Sequence, residues 1–343
     1  MAVSGAIRNV RITGIACAVP ETVVDNNAMS ARFGAEQIAK FEKMVGVKER
    51  HVAGKGVCTS DLACKAAVRL KDAGRWSPDD IDAVVFVTQT PDYVVPATAC
   101  TLQDRLGVKK DCFAFDFNLG CSGFVYGVQI VASLLQTQGF RKALLLGGDC
   151  PLKMVDPQDP ASAPLFGDAG FATVLVRDES AGEIRYAFKT DGAGYRAIFD
   201  DNLARHGRNN PPTGEFVRMD GMDVFNFTIN EVPDLIKAEM AAAGLTAENA
   251  DYLVLHQANK FVLKQIAMMT GFPMKKVPVS MDRFGNTSSA SIPLTLCDLA
   301  SRDQGVKKVV MSGFGVGLSW GTLIMDFDLA TCETDILRVE DGK

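Results

Sequence analysis

The sequence has few of the features that mark metal-binding or disulfide-linked proteins. It contains only three histidines, His51, His206 and His256, and their spacing is not that of a zinc site. Its nine cysteines stand singly without a CxxC pair, and an odd number in a long chain does not indicate a disulfide framework. We therefore predict reduced thiols, no metal and no bound cofactor.

The chain also lacks an excess of positive charge and any long apolar run. With 36 Lys and Arg against 41 Asp and Glu, its formal net charge is -5, which argues against a nucleic-acid partner or a polybasic membrane anchor. No stretch reaches the roughly 18 apolar residues of a membrane-spanning helix, and the N-terminus has no signal-like apolar segment. We expect no membrane association and a cytoplasmic location.

Short apolar segments, by contrast, are abundant and alternate with amphipathic ones. The runs of β-branched and aliphatic residues predict buried strands, and the segments between them have helical periodicity and end at glycine. The alternation predicts a layered α/β fold. The predicted strands cover 83–89, 112–117, 143–148, 172–177, 252–257, 308–313 and 322–327, and the predicted helices cover 60–74, 122–139, 225–244 and 260–271.

The sequence repeats itself weakly. SPDDIDAVVFVTQT (77–90) and TAENADYLVLHQAN (246–259) share an N-cap, an acidic turn and an apolar strand at an offset of 169 residues. Two further pairs of similar segments follow in the same order. We predict two similar halves, 1–180 and 181–343. The segment from Asp191 to Asp220 lacks a strong period and is predicted to be a loop over a substrate entrance.

Cys121 is the candidate nucleophile. It lies in DFNLGCSGF, between a predicted strand and a predicted helix and close to two glycines, Gly120 and Gly123. Unpaired N–H groups at a helix N-terminus favour the thiolate. The glycines permit a tight turn and the close approach of a substrate backbone, which a cysteine that only packs in the core does not need.

Three further segments carry groups that complement a nucleophile. His256 ends a predicted strand, at the sheet edge where open α/β proteins bind ligands. Asn286 lies in a Gly/Asn/Ser loop, and the glycine-rich bend GFGVGLSWG (313–321) exposes amides suited to an oxyanion. Taken singly, each has an ordinary alternative: a hydrogen-bonded core histidine, an N-cap or turn asparagine, and a plain hairpin. Taken together, they predict an active site.

In order and spacing, these motifs resemble those of the β-ketoacyl-acyl-carrier-protein synthase III family of thiolase-fold condensing enzymes. The resemblance rests on GCSGF, HQAN, GNTSSASIP and GFGVGLSWG and covers essentially the whole chain, from VRITGIACAVPETVV to TLIMDF. It implies two duplicated halves stacked as five αβαβα layers, in agreement with the repeat. It also implies a homodimer and an acyl carrier protein as partner.

The resemblance assigns catalytic roles to residues of both halves. The Cys121 thiolate, in the N-terminal half, would take an acyl group from a thioester primer. His256 and Asn286, in the C-terminal half, would stabilise the enolate formed when malonyl-acyl carrier protein loses carbon dioxide. The backbone amides of Cys121 and Val316 would form the oxyanion hole, with Val316 standing where many relatives have glycine.

The resemblance also implies substrate-binding residues. Asn259 would position pantetheine, and Lys153 would hold a nucleotide. Phe314, Met219 and Val95 would line the acyl pocket, Val95 by reaching into the partner subunit's site. A docking face for the carrier would comprise Lys260, Lys264, Lys275 and Lys276. The tryptophan with which many relatives bind adenine is absent here, where the chain has Lys40, Phe41 and Met44, so the donor is either coenzyme A-bound or carrier-bound.

Other functions share part of this pattern. An enzyme of the same fold could pass the acyl group from Cys121 to an acceptor other than malonyl-acyl carrier protein. The chain order Cys, His, Asn also occurs in papain-like thiol hydrolases, but those enzymes surround the cysteine with a CGSCW-like segment near the N-terminus. A non-catalytic partner of a condensing enzyme would lose the nucleophile, whereas this chain retains Cys121.

Overall fold

Two large sheets organise the chain in the computed structural model, which describes residues 2–200 and 214–340. The strands are β1 (Val3–Ile7), β2 (Val10–Pro20), β3 (Val23–Asp25), β4 (Glu49–His51), β5 (Ala83–Val87), β6 (Phe113–Phe117), β7 (Lys142–Asp149), β8 (Ala169–Arg177), β9 (Ile184–Thr190), β10 (Ile198–Phe199), β11 (Arg218–Met219), β12 (Tyr252–Leu255), β13 (Val306–Gly315), β14 (Ser319–Asp328) and β15 (Glu333–Val339). The α-helices are α1 (Ser30–Phe33), α2 (Ala35–Val45), α3 (Thr59–Asp72), α4 (Thr98–Arg105), α5 (Gly123–Leu134), α6 (Gly221–Ala242), α7 (Lys260–Thr270), α8 (Met281–Phe284) and α9 (Ser291–Ala300).

The two sheets have matching topologies. The first has the order β15-β2-β8-β7-β5-β6, and the second has the order β1-β9-β14-β13-β12. In the first, β5 and β7 are parallel and β7, β8 and β2 are successively antiparallel. In the second, β12 and β13 are parallel and β13, β14 and β9 are successively antiparallel. The repeat read from the sequence therefore corresponds to a repeat of structure.

The repeat extends to the turns that lead into equivalent strands. The Ser77 amide donates to the Asp80 carboxylate at 2.9 Å, and the Thr246 amide donates to the Asn249 side chain at 2.7 Å. These bonds close the same turn before β5 and before β12, so the similar turns predicted in both copies are present.

Each end of the chain adds a strand to the sheet of the opposite half. β1 is an edge strand of the second sheet, antiparallel to β9, whereas β15 is an edge strand of the first sheet, parallel to β2. A division into 1–180 and 181–343 therefore does not separate two self-contained sheets. Residue 180 does fall in the short connection between β8 and β9.

The helices complete a five-layer stack. α5 and α9 lie between the sheets and contact strands of both, and all ten residues of α9 are buried. α3 and α4 cover the outer face of the first sheet, and α6 and α7 cover that of the second. The layers follow the order αβαβα, which confirms the predicted fold. Within the described ranges, no helix has the length and apolar character needed to cross a lipid bilayer.

All seven predicted strands and all four predicted helices are present, with shifts of a few residues at their ends. The strands β1 to β4, β9 to β11 and β15 were not predicted, nor were the helices α1, α2, α4, α8 and α9. The segment 191–220 contains a 3-10 helix (Gly192–Ala197) and the short pair β10 and β11. Residues 201–213, with the candidate His206, lie outside the described residues. Ile198 and Met219 of this segment line the main cavity, in agreement with a position over the substrate entrance.

Candidate active site

A cavity lies where strands of both sheets end, and the residues singled out by the sequence line it. Its wall contains Cys121, His256, Asn286, Phe314 and Val316, which come from distant parts of the chain. Asn259 and Met219 also line it. Most of the remaining wall is apolar, from Met154, Val155, Leu165, Phe166, Ile198, Val217, Val224, Phe225 and Val262.

Cys121 lies in the turn between β6 and α5, as predicted, and is 8% exposed. The neighbouring glycines act differently from the prediction. A Cβ on Gly120 would stand 2.2 Å from the Gln89 side-chain oxygen, and one on Gly123 would stand 2.7 Å from a methyl group of Val87. These glycines therefore make room for the protein's own β5 segment, and not for a substrate backbone, because the turn is packed against that strand.

The glycine-rich bend of the C-terminal half lies against the cysteine. A Cβ on Gly315 would be 2.8 Å from the Cys121 Cβ and 3.0 Å from its Sγ. A Cβ on Gly313 would be 2.9 Å from the Ser122 Cα. The sequence GFGVG therefore allows the end of β13 to approach the cysteine more closely than any side chain would permit. Val316, which follows Gly315 in this bend, lines the cavity together with Cys121.

The thiol of Cys121 holds its proton strongly. Burial raises its pKa to about 12, and the negative charge of Asp149 acts in the same direction. Hydrogen bonds from the Ser288 side chain and from the amides of Cys121 and Val316 lower the pKa, but by less. Removal from water disfavours the thiolate more than these hydrogen bonds favour it, which is opposite in direction to the effect expected from the helix N-terminus.

This pKa predicts the pH dependence of alkylation. Only the thiolate reacts with iodoacetamide. The rate of alkylation of Cys121 should therefore rise about tenfold per pH unit through the neutral range. The rate should show no plateau below about pH 9, since a raised pKa keeps the thiolate fraction small there. Peptide mass spectrometry of Cys121 at several pH values measures this. A plateau near neutral pH would show that the helix N-terminus dominates.

His256 is a neutral imidazole. Burial lowers its pKa to about 3, against a smaller opposite effect from the Ser288 backbone. Its Nδ1 is 2.8 Å from the Ser291 hydroxyl, and its ring lies edge-on to Phe314 at 5.4 Å between centroids. Its backbone amide donates to the Ser312 carbonyl at 2.8 Å, which holds it at the end of β12. A neutral ring offers one N–H donor without adding a charge to the cavity.

Asn286 is fixed by backbone pairing with the N-terminal half. Its amide donates to the Leu165 carbonyl at 2.9 Å, and its carbonyl accepts from the Gly167 amide at 3.1 Å. Its side-chain Oδ1 accepts from the Ser288 amide at 3.0 Å. This bond uses the acceptor end of the side chain, so Nδ2 is the end suited to donate to a ligand.

The other predicted substrate-binding residues divide into two groups. Phe314, Met219 and Asn259 line the cavity, and the Asn259 side chain also caps α7 by accepting from the Val262 amide. Lys153 and Val95 do not line it. The Lys153 ammonium donates to the Val57 carbonyl beside an adjoining cavity, which shares Gln89 and Met154 with the first. Val95 is 81% exposed on a surface loop.

The four lysines of the predicted docking face have different environments. Lys260, Lys264 and Lys275 are exposed. Lys276 is partly buried, and its ammonium donates to the carbonyls of Ala247, Glu248 and Ala250. Lys276 therefore stabilises the turn before β12, and these bonds hold its ammonium against the protein's own backbone.

Two residues of the cavity were missed by the sequence reasoning. Ser288 lies next to the cysteine, and Asp149 is a buried carboxylate at the end of β7. Asp149 could have been found by the rule that selected His256, because a polar residue directly after a buried strand lies at the ligand-binding edge. Nothing in the sequence GNTSSASIP distinguishes Ser288 from the other serines of that segment.

Comparisons with known proteins agree with this fold and site. Family models described as 3-oxoacyl-[acyl-carrier-protein (ACP)] synthase III and its C-terminal region match residues 115–192 and 240–327. A solved 3-oxoacyl-(acyl-carrier protein) synthase from Burkholderia xenovorans LB400 is 35% identical, with a TM-score of 0.90 over 98% of this chain and 99% of that chain. A 3-oxoacyl-(acyl carrier protein) synthase III from Pseudomonas aeruginosa PAO1 is 31% identical, with a TM-score of 0.85 over 94% and 99%.

A third similar structure belongs to a different pathway. The priming β-ketosynthase from the R1128 polyketide biosynthetic pathway is 26% identical, with a TM-score of 0.85 over 94% of this chain and 98% of that chain. The two duplicated halves and these relatives define the protein as a thiolase-fold condensing enzyme, which transfers acyl groups. The match to the Burkholderia enzyme extends over nearly the full length of both chains. The chain belongs to the 3-oxoacyl-[acyl-carrier-protein] synthase III family.

Proposed function

We propose that the protein loads an acyl group from a thioester primer onto Cys121 and condenses it with malonyl-acyl carrier protein, releasing carbon dioxide and a β-ketoacyl thioester. The observation that carries this proposal is the meeting of Cys121, His256 and Asn286 at one largely apolar cavity. A nucleophile and two neutral polar side chains suit a reaction that needs covalent capture followed by stabilisation of an enolate.

In the loading step the sulfur attacks the primer's carbonyl carbon, and the developing oxyanion needs donors beside it. The amides of Cys121 and Val316 are the proposed donors, because both residues line the cavity where the sulfur lies. The close contact of Gly315 with Cys121 keeps the Val316 amide near the reacting atom. The original carrier then leaves as a thiol.

In the condensation step malonyl-acyl carrier protein loses carbon dioxide, and negative charge develops on the thioester oxygen. The His256 imidazole and the Asn286 Nδ2 group are the proposed donors to that oxygen. Because burial keeps His256 neutral, it can donate an N–H without binding the malonyl carboxylate as an ion pair, which would oppose decarboxylation. The carbanion then attacks the acylated Cys121.

The apolar wall of the cavity suits an apolar acyl group in the primer. Phe314 and Met219 lie among apolar side chains along it, and we assign them to the acyl pocket. Asn259 lies where it can contact the pantetheine arm, although its Oδ1 is engaged at the start of α7. Apolar burial of the acyl chain favours binding by about 0.8 kcal/mol per methylene group.

Two protein partners belong to the proposal. The names of the similar synthases point to an acyl carrier protein, and the exposed Lys260, Lys264 and Lys275 offer positive charge for an acidic carrier. We also propose a homodimer in which Val95 reaches the partner subunit's cavity. Three consecutive exposed apolar residues support this: Tyr93 is 57% exposed, Val94 is 78% and Val95 is 81%.

The second candidate function is transfer of the acyl group from Cys121 to an acceptor other than malonyl-acyl carrier protein. The relative from a polyketide pathway supports only the broader point that proteins of this fold serve more than one pathway. Both functions share the loading step and differ in the need for an enolate.

A two-stage experiment tests the proposal. The protein is first incubated with acyl-coenzyme A and acyl-carrier thioesters of increasing chain length, and intact mass spectrometry detects the acyl adduct. The loaded protein is then given malonyl-acyl carrier protein, and we expect loss of the adduct together with carbon dioxide and a β-ketoacyl product. Loading without discharge by malonyl-acyl carrier protein, but with discharge by an alcohol or amine, would establish the second function instead.

A further inference from the structure

One ring nitrogen of His256 contacts a side chain that has no part in the function proposed above. Ser291 begins α9, and its hydroxyl lies 2.8 Å from the His256 Nδ1. Both residues are buried. Among the described residues, His256 belongs to the wall of the main cavity and Ser291 does not. Any effect of Ser291 on a ligand in this cavity is therefore exerted through the imidazole.

Backbone hydrogen bonds hold Ser291 in place. Its amide donates to the Ser288 carbonyl, and its carbonyl accepts from the Thr295 hydroxyl at 2.7 Å. The Thr295 hydroxyl is in turn 2.7 Å from the Ser280 hydroxyl. These bonds fix the backbone of Ser291, so its hydroxyl has a defined position beside the imidazole ring.

The direction of the bond to the ring follows from a second neighbour of the hydroxyl. The Gln257 amide donates to the Ser291 Oγ at 3.4 Å. The hydrogen of the hydroxyl also needs an acceptor, because an unpaired polar group in a buried site costs free energy. Of the two hydrogen-bonding neighbours of Oγ among the described residues, the His256 Nδ1 is the one that can accept. A proton on Nδ1 would leave Oγ with two N–H donors and its own hydrogen unpaired.

We propose that Ser291 is a positioning residue, which donates to the His256 Nδ1 and so keeps the ring proton on Nε2. The inference rests on the proposed function, in which His256 donates to the enolate oxygen. A neutral imidazole has one N–H, so its tautomer decides which nitrogen can donate. Because Nδ1 faces Ser291, Nε2 is the nitrogen left for a ligand in the cavity. The other tautomer would present a lone pair to the enolate and repel it.

Two further neighbours of the ring are consistent with this arrangement. The Ser288 backbone raises the pKa of His256, but by less than burial lowers it to about 3. The Ser288 carbonyl already accepts from the Ser291 amide. Phe314 lies edge-on to the ring, with 5.4 Å between the centroids, and has no polar atom. The ring is therefore neutral, and the Ser291 hydroxyl selects its tautomer.

The wild-type protein allows a test that needs no change at Ser291. The full-length protein is labelled with ¹⁵N-histidine, and the ring nitrogens are observed by NMR at neutral pH. The chemical shift of each nitrogen reports whether it carries the proton. The sequence has three histidines, and comparison with His256→Ala identifies the signals of His256. We expect the proton on Nε2. A proton on Nδ1 would overturn the inference even if the condensation reaction is observed.

Two buried serines supply a matched comparison. Ser291→Ala removes the hydroxyl beside Nδ1, whereas Ser280→Ala removes a hydroxyl that contacts Thr295. Ser291→Ala should move part of the ring proton to Nδ1 and slow malonyl decarboxylation about five- to tenfold, as expected for the loss of one neutral hydrogen bond. Acyl loading of Cys121 should be unchanged, because the proposed loading step does not use His256. Ser280→Ala should change neither the tautomer nor the rate of decarboxylation.

The outcomes separate this inference from the proposed function. Equal slowing of decarboxylation by both serine variants, with the tautomer unchanged in each, would give Ser291 a purely structural role and overturn the inference. If the wild type neither loads a thioester nor decarboxylates malonyl-acyl carrier protein, the proposed function fails. The NMR spectrum of the wild type still decides the tautomer of His256 in that case.

Discussion

Replacing Cys121 with alanine is expected to abolish acyl loading completely. The reason is that the covalent step requires the sulfur, and no neighbouring side chain can replace it. Intact mass spectrometry after incubation with the preferred thioester should show the adduct on the wild type and none on the variant. The variant should still decarboxylate malonyl-acyl carrier protein slowly, because His256 and Asn286 remain in place, and this activity shows that it is folded.

The control for this experiment is a cysteine far from the proposed chemistry. Cys100 is the free cysteine with an exposed side chain among the described residues, so Cys100→Ala should load as the wild type does. An adduct on another cysteine of the wild type, with Cys121 unmodified, would refute the proposed nucleophile.

Replacing either proposed enolate donor should have the opposite effect to Cys121→Ala, because loading should be retained and decarboxylation should be slowed. His256→Ala and Asn286→Asp are each expected to load the acyl group but to slow malonyl decarboxylation by about 100- to 1,000-fold, the usual effect of losing one oxyanion donor. Asn286→Asp is nearly isosteric and keeps the Oδ1 acceptor used by the Ser288 amide. It replaces the Nδ2 donor with an oxygen and adds a charge that repels the enolate.

Two measurements on each variant distinguish an effect on decarboxylation from an effect on loading. The first is the release of carbon dioxide, and the second is the formation of the acyl adduct. Loss of loading in both variants, with decarboxylation unchanged, would reverse the proposed division of roles. It would assign His256 to the cysteine proton. A combined loss of both steps together with a lowered melting temperature would indicate a structural role.

The sequence identified the main chemical groups because each lies in a local pattern. A strand, a glycine-flanked cysteine and a helix succeed one another within a few residues around Cys121. His256 directly follows a buried strand. Such patterns depend on short-range backbone preferences, and these act between residues that are close along the chain. The local repeat of turn and strand likewise predicted a layered α/β fold in two similar halves, whereas the five-layer arrangement was implied by the family resemblance.

Other features depended on contacts between distant segments. The exchange of β1 and β15 between the sheets arises from pairing of the chain ends, for which their sequences carry no local signal. Lys276 looked like part of a docking face, but three carbonyls bind its ammonium in the folded chain. The position of Ser288 beside Cys121 requires the two halves to be packed together.

The sequence by itself determined the residue types, their order and the glycines that let the halves approach. Only the tertiary structure decided their protonation. The thiol of Cys121 has a pKa raised to about 12 and the imidazole of His256 a pKa lowered to about 3 because packing removes both from water. The free energy of an ion depends on everything that surrounds it, and those surroundings exist only after the chain has folded.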